Sequence, residues 1–540
     1  MKKLLLLTLG AVLTMSAAAA PRSLRQAQQS VPGTHALQHC HTAIQPDGTP
    51  AFYVFNRGEN EGFVIVSSDD RARTILGYTD TGRWDENDMP TNMRAWLDNY
   101  VAVLRNIDAS YSSNEAETTE YTPVAPLTQT LWNQKTPYND SCPLYQGVHT
   151  AAGCVAIAGA QIMKYHLYPA HGIGSKTYKW ANENGDSIEL SANYAGTTYH
   201  WTDMMDSCND KTTEAQKSAV AQLVYQCGVA CEMKYGKSSS SGSSSLMNQC
   251  FIDYFGYDKG IRMFAKDYTG EARIMEVINE NLQAGQPVYI SAKTTEGNGH
   301  AFICDGIDTE GLLHINWGWG GKSNGYFQLS ALAPQNQGTG GSSTNKAYTE
   351  RVQVYTDIKP NAGGNYVYSL ACEKIRFDAQ VVERDSAVRI HVDTLRNFGF
   401  CPWTGHLKLY IYKNGEYYTY RTINEDMNPL ANGKYRKHVS YNAKFQSYAN
   451  GEYEVVIAAR ASDQPNAYIP IYNKGIGEYR FRLVITTDSI YVNCAPGEPA
   501  QAIENRQTDS QPAQKILQNG QIYILRHGRK YTMEGCEWRD

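Results

Sequence analysis

The sequence predicts an α+β fold joined to an all-β C-terminal domain. Three stretches carry that expectation. Ala151 to Pro169 (AAGCVAIAGAQIMKYHLYP) is dense in small, helix-compatible residues and free of proline from Val155 to about Tyr165, which reads as a buried helix. Gln286 to Leu329 breaks into short β-branched and aromatic runs ended by Gly, Asn or Asp, the pattern of an antiparallel meander. From Asn365 to about Thr486 come AVRIHVDTL, GHLKLYIYKNGEYYTYRTI, KHVSYNAKF, GEYEVVIAAR and YRFRLVIT, with Asn-Gly turns among them. Several strands at that spacing read as a β-sandwich, immunoglobulin-like in outline.

At 540 residues the chain is long enough for three or four domains. Residues 1–20 read as a signal peptide: Lys2 and Lys3, an apolar run from Leu4 to Leu13, then small residues from Ala17 to Ala20. No later stretch holds 18 uninterrupted apolar residues, so no transmembrane anchor is expected. The mature protein is therefore expected to leave the cytosol, exported through the periplasm to the exterior or the cell surface. A net charge of −5, thinly spread, argues against nucleic acid as a partner.

Residues 21–115 read as a separate small α+β domain. AFYVFNRGENEGFVIVSSDDRARTILGYT holds two strands around an Asn-Arg-Gly-Glu-Asn turn and a third short strand. Met93, Leu97, Val101 and Leu104 then recur at helical spacing over Met93–Ile107. SYSSNEAETTEYTP follows, polar and acidic, a linker open to proteolysis. In the central domain, 116–358, Thr212 to Met233 reads as a helix capped by Thr212 or Thr213, and Glu271 to Leu282 as another. The spacing of Cys227 and Cys231 is open to metal binding, but no second ligand pair lies near and core packing is the better reading, so no metal and no cofactor are expected. YGKSSSSGSSSLMNQC is a Ser/Gly loop leading into a helix towards Tyr254. Residues 333–346 form a long Gly/Ser/Asn loop, read either as a flap or as a disordered segment. KPNAGG (359–364) marks a boundary before the sandwich at 365–486, and 495–540 reads as a polar linker and a C-terminal hairpin. Twelve scattered cysteines suggest few disulfides or none.

Chemistry is expected at Cys154. Gly153 allows a sharp turn into the helix, so the thiol stands among unpaired N–H groups at the positive end of the dipole, which favours thiolate. A lone cysteine there also fits a simple core residue. His300 opens a strand 146 residues later, and Asn316 and Trp317 close the next one. A thiol nucleophile, a base and a group orienting that base would match this set, although a structural histidine stays open.

GCVAIAGAQIMKYHLYP, GHAFICDGID and HINWGWGGKSNGYF together resemble the streptopain family of papain-like cysteine peptidases, secreted bacterial enzymes. The likeness runs from about Pro126 to Gly341. It implies a papain-like domain with Cys154 as nucleophile, His300 as general base and acid, and Trp317 packing on the histidine beside Asn316. Gln134, in WNQKTPYND, matches the glutamine whose amide helps form the oxyanion hole. Gly299 and Ser241 match positions lining the substrate cleft. FNRGENEGFVIVSSDDRARTILGY resembles the family's inhibitory pro-segment, so the chain's own pro-domain is an expected partner alongside protein or peptide substrates. The C-terminal hairpin resembles segments common on exported proteins of Bacteroidetes-type bacteria, some of which act as secretion signals. The leading expectation is a secreted cysteine endopeptidase made as a zymogen. Amidase or transglutaminase-like acyl transfer at the same pair is the enzymatic alternative. An adhesin with a decayed protease fold is the other; decay deletes the nucleophile, base or oxyanion donor, and here Cys154, His300 and Gln134 all stand.

Overall fold

The structure, a computed structural model, describes residues 21–34, 36–105, 120–182, 184–293, 299–330, 352–422 and 427–496, and the strand backbones within 514–538. The expected signal peptide (1–20), most of the expected acidic linker, the 333–346 segment and most of the Gln-rich segment lie outside the described residues. The chain divides into two compact units, Met1–Val367 and Tyr368–Asp540.

The first unit begins with α1 (Leu24–Gln29), started by a capping box between Ser23 and Gln26. Four strands follow: β1 (Leu37–Ile44), β2 (Pro50–Arg57), β3 (Phe63–Ser67) and β4 (Ile75–Tyr78). The residues of β2 and β3 are buried almost throughout, because both faces of this sheet are covered. Ala27 of α1 packs with Tyr53, Phe55, Val64 and Val66 on one side. On the other lies α2 (Thr91–Arg105), whose Met93, Trp96, Leu97, Tyr100 and Leu104 are buried. Val101 is only half-buried; Trp96 and Tyr100 take the face that periodicity alone gave partly to it.

Two small hairpins, β5 (Leu144–Tyr145) with β6 (Val148–His149) and β7 (Ser175–Ala181) with β8 (Ser187–Asn193), flank the central helix α3 (Cys154–His166). Every residue of α3 from Val155 to Met163 is buried, as a helix apolar on all sides must be. It packs on α4 (Glu214–Ala230), which Thr213 caps with Gln216, and on α5 (Ser244–Asp253). Gly159 permits the α3–α5 contact: a Cβ there would stand 2.7 Å from Met247 Cε. Next come β9 (Arg262–Ala265), α6 (Lys266–Thr269), α7 (Glu271–Gln283), β10 (Val288–Lys293), β11 (Gly299–Ile307), β12 (Leu313–Asn316), β13 (Gly325–Phe327) and β14 (Gln353–Thr356). The expected meander is β10 to β13, and β14 and β9 extend it.

These strands and those of the N-terminal region form one antiparallel sheet of ten, in the order β1-β2-β3-β4-β13-β12-β11-β10-β14-β9. The seam is β4 against β13, with Tyr78 opposite Tyr326 and Gly77 opposite Phe327. Its two sides share a core: Trp96 packs edge-on against Phe302 and Trp317, in a cluster that also holds Phe52, Ile65 and Phe327. Hydrogen bonds reinforce it. Trp96 Nε1 and the Tyr100 hydroxyl both donate to the Gln328 carbonyl (3.0 and 2.6 Å), and the Tyr78 hydroxyl donates to Asp308 (3.1 Å).

The 359–364 segment is folded onto the first unit. Asp258 accepts from the backbone N–H groups of Gly260, Ala362 and Gly364 at 2.8, 3.0 and 3.0 Å. The second unit is sheet-rich and closes over one core that includes Trp403, Leu407, Leu409, Ile457 and Phe481. Leu370–Cys372 runs parallel to Ile469–Asn473, and the other described pairs there are antiparallel. At the C-terminus, Gln514–Gln518 pairs with Gln521–Arg526, and two further short strands make this a four-stranded meander rather than a lone hairpin.

Gly77 tests the seam. A Cβ there would lie 2.5 Å from Phe327 Cδ1 and 2.9 Å from the Tyr326 carbonyl. Gly77→Val is expected to lower the stability of the full chain by about 1–3 kcal/mol and to accelerate hydrogen exchange at Tyr326 and Phe327. Unchanged exchange at those amides would mean that the seam does not hold the two halves together.

Candidate active site

Cys154 is the first residue of α3, and the residue before it makes that placement possible. Gly153 is the N-cap with φ +89°, in the region that favours glycine, and it supplies no side-chain cap. The first N–H groups of the helix are therefore left for the thiol, and those of Cys154 and Val155 point at its sulfur. A third donor comes from across the cleft: the N–H of Ala301, the residue after His300. Thus β11 brings its start to the start of α3.

The half-buried thiol sits higher in pKa than an ordinary cysteine. Burial drives the shift, and the three N–H groups only partly oppose it. This runs against the expectation from the helix start alone. The helix terminus is as expected, but desolvation outweighs it. His300, also half-buried, is shifted down by burial, so its neutral form is favoured too. No hydrogen bond joins the two side chains among the described residues, and neither contributes to the other's shift.

Gln134 lies on the loop before α3, where its carbonyl accepts from Ala152 N at 3.0 Å. That bond fixes residue 134 beside the chain entering Cys154. Asn316 is spent on structure: its amide donates to the Thr130 carbonyl (2.7 Å) and its oxygen accepts from Gly318 N (3.1 Å). It therefore anchors the segment leading to Gln134. Trp317 is fully buried (0%), its indole donating to the Ser323 carbonyl at 2.9 Å. Its ring neighbours are Trp96, Phe302 and Phe327, two of them on the strands that flank the site. Gly299 begins β11, exposed, with nothing within 4 Å of a Cβ built on it.

Ser241 is exposed and pairs through its backbone with Lys234 in both directions (2.8 and 3.0 Å). The Ser-rich loop is folded at this point: Ser240 Oγ donates to the Ala151 carbonyl (2.6 Å) and accepts from Gly236 N (3.0 Å). Its neighbours reach the turn before Cys154, since Met233 fills the space against Gly153.

One contact escaped the sequence reading. Asn92, at the first turn of α2, donates from its amide to the Trp317 carbonyl at 2.7 Å and is itself buried. An Asn at a helix start looks like an ordinary cap, so only the seam reveals what it reaches. Cys227, Cys231 and Cys250 are buried, and all eleven cysteines among the described residues are free thiols.

Comparison with known proteins agrees with this geometry. Residues 132–327 match the model of the peptidase C10 family, and residues 15–103 that of the Spi protease inhibitor. Streptopain of Streptococcus pyogenes is 34% identical over 312 residues, which cover 54% of this chain and 76% of that protein. The chain belongs to the peptidase C10, or streptopain, family. This C10 chain is also 31% identical over 326 residues to the thiol protease/hemagglutinin PrtT of Porphyromonas gingivalis, covering 57% of this chain and 37% of that one. Among solved structures, a fragment of prointerpain A from Prevotella intermedia superposes with a TM-score of 0.51 at 27% identity, covering 60% of this chain and 99% of the fragment. It is accordingly a cysteine-type peptidase with an inhibitor-type pro-domain at its N-terminal side. Among the described residues no helix is long and apolar enough to cross a membrane.

Gly153→Ala probes the turn into α3. A Cβ would meet Met233 Sδ and Cε at 2.7 Å, and the positive φ adds strain of about 1–3 kcal/mol. Peptide hydrolysis should fall by at least about tenfold and the melting temperature should drop. Wild-type kinetics in this variant would show that the turn does not position the thiol.

Proposed function

We propose that this protein is an exported cysteine endopeptidase held latent by its own N-terminal domain. In this reading residues 1–20 are removed on export, 21–115 form the inhibitory pro-domain and 116–358 the peptidase. The sandwich at 365–486 and the 495–540 tail accompany them. One observation carries the assignment of the nucleophile: the Cys154 sulfur faces the open start of α3 and the N–H next to His300.

In the active form, His300 takes the Cys154 proton and the thiolate attacks the scissile carbonyl. The oxyanion that forms is received by the Cys154 N–H and the Gln134 amide. His300 then protonates the leaving amine, and water hydrolyses the thioester. Trp317 and Asn316 act by position: one packs the strand carrying Phe302 and Ala301, the other ties down the segment leading to Gln134. Gly299 and the loop at Ser241 border the cleft, where a substrate backbone passes close to residues without bulky side chains.

Latency is supported by the burial that favours the neutral form of both groups, and by Asn92 and Trp96 resting on Trp317. Cleavage within 110–122 cuts the tether, and dilution releases the enzyme.

Incubating the purified protein with reductant and an unstructured protein, then sequencing the fragments, tests the activity. Cys154→Ala is expected to abolish cleavage and to accumulate as full-length precursor, and wild-type turnover in it would exclude the nucleophile. Gln134→Ala is expected to lower kcat by about 10²–10³ with little change in KM. A change confined to KM would make Gln134 a substrate-binding residue instead.

A further inference from the structure

The chemistry above leaves the second unit without a task, and one of its faces carries exposed aromatic rings. Along Trp403–Lys413 the side chains alternate. Leu407, Leu409 and Ile411 enter the core, while Lys408, Tyr410 and Tyr412 lie on the opposite face. Tyr410 stands opposite Tyr420 of Glu416–Thr422, their ring centroids 6.3 Å apart, and 4.9 Å from the ring of Tyr468. The three rings make a continuous row, and Tyr420 and Tyr468 are 48% and 41% exposed. Tyr412 and Tyr417 continue it at 6.1 Å. Val456 and Ala458, opposite Tyr410 and Lys408 on the next strand, are small and fully buried.

Charge on this face is unevenly matched. Arg480 pairs with Glu454 and Glu478, and Arg482 with Glu452. Lys408 and Arg460 have no carboxylate partner among the described residues. Lys408 is only 4% exposed, its ammonium 3.7 Å from the Tyr420 centroid, and Arg460 Nε is buried without a hydrogen-bond partner. Burial and the neighbouring Arg460 both push the Lys408 pKa down. Two adjacent cations short of an anion are costly unless something outside the fold supplies it.

We propose that this face binds an anionic polysaccharide, with sugar rings stacked on Tyr468, Tyr410 and Tyr420 and a sulfate or carboxylate group held by Arg460, with the Lys408 charge beneath Tyr420 adding to the field. Flat rings with hydroxyls at their rims suit the apolar faces and polar edges of sugars. An acidic peptide fits less well. The strand beneath, Trp403–Lys413, already pairs on both sides, so a peptide lying across the rings finds no main-chain partners on it; among the described strands only the outer edge of Glu416–Thr422 is left unpaired there. The surface would hold the peptidase on an acidic glycan near its substrates, and it is independent of the catalytic assignment.

The test uses the full chain carrying Cys154→Ala, which cannot digest itself, and measures binding calorimetrically to heparin, hyaluronan, neutral dextran and poly-L-glutamate. Heparin or hyaluronan is expected to bind at least about tenfold more tightly than dextran or poly-L-glutamate. Tyr420→Ala and Tyr468→Ala should each weaken that binding about tenfold, and Lys408→Gln should reduce the preference for charged chains. Tyr435→Ala, an exposed tyrosine on a strand that does not pair with Trp403–Lys413, should leave it unchanged. Any of three outcomes overturns the proposal: neither anionic polysaccharide binds, the two exposed-ring variants bind as the parent does, or poly-L-glutamate binds as tightly as the polysaccharides.

Discussion

Two residues of backbone pairing, Gly77 and Tyr78 against Phe327 and Tyr326, are the constraint on which the first unit depends. They turn two small sheets into one and set α2 across the join. From there packing runs inward without a gap: Trp96 on Trp317, Trp317 on Phe302, and Phe302 one residue from the Ala301 N–H that meets the thiol. Domains joined only by a flexible linker move independently; here the N-terminal region contributes strands, core and hydrogen bonds to the sheet that carries His300. A change at the seam is therefore expected to reach the site through rigid packing.

Electrostatics makes the coupling consequential. A thiolate and an imidazolium stabilise one another only when they face each other with enough solvation or hydrogen bonding to support charge. In the chain with its N-terminal region in place, burial favours the uncharged form of each, and three N–H donors do not compensate for the thiol. The same sheet that aligns β11 with α3 is continuous with the N-terminal strands. Removing β1 to β4 and α2 uncovers β13 and Trp317 together.

Much of this was legible in the chain. The all-buried helix, the meander and the start of α4 at Thr212 or Thr213 follow from local pattern, because small apolar runs, short β-branched runs and a Thr before a helical run each favour one conformation; the structure takes Thr213, with Gln216, as the cap. Cys154, Gln134 and His300 are candidates read from motif, and Gly153 made the turn before Cys154 readable. What escaped depends on long-range pairing. β1 is an edge strand with a mostly exposed, polar face, so its sequence carries no alternation to detect. The β4–β13 seam joins residues some 250 positions apart, and nothing local marks Gly77 as the partner of Phe327. Nothing local marks the Trp317 carbonyl that Asn92 reaches, and the sign of the Cys154 shift depends on how deeply the neighbours bury the sulfur.

On the latency proposed above, the N-terminal domain keeps Cys154 and His300 neutral and unpaired. The most direct measurement is the pH dependence of iodoacetamide alkylation, read at Cys154 by mass spectrometry, before and after cleavage within 110–122 and removal of the pro-region. The account predicts a midpoint at or above the ordinary thiol value of about 8.5 in the precursor. It predicts a strongly acid-shifted midpoint in the trimmed enzyme, abolished by His300→Ala. An equally acid midpoint in both forms, or an acid shift that survives His300→Ala, would contradict it.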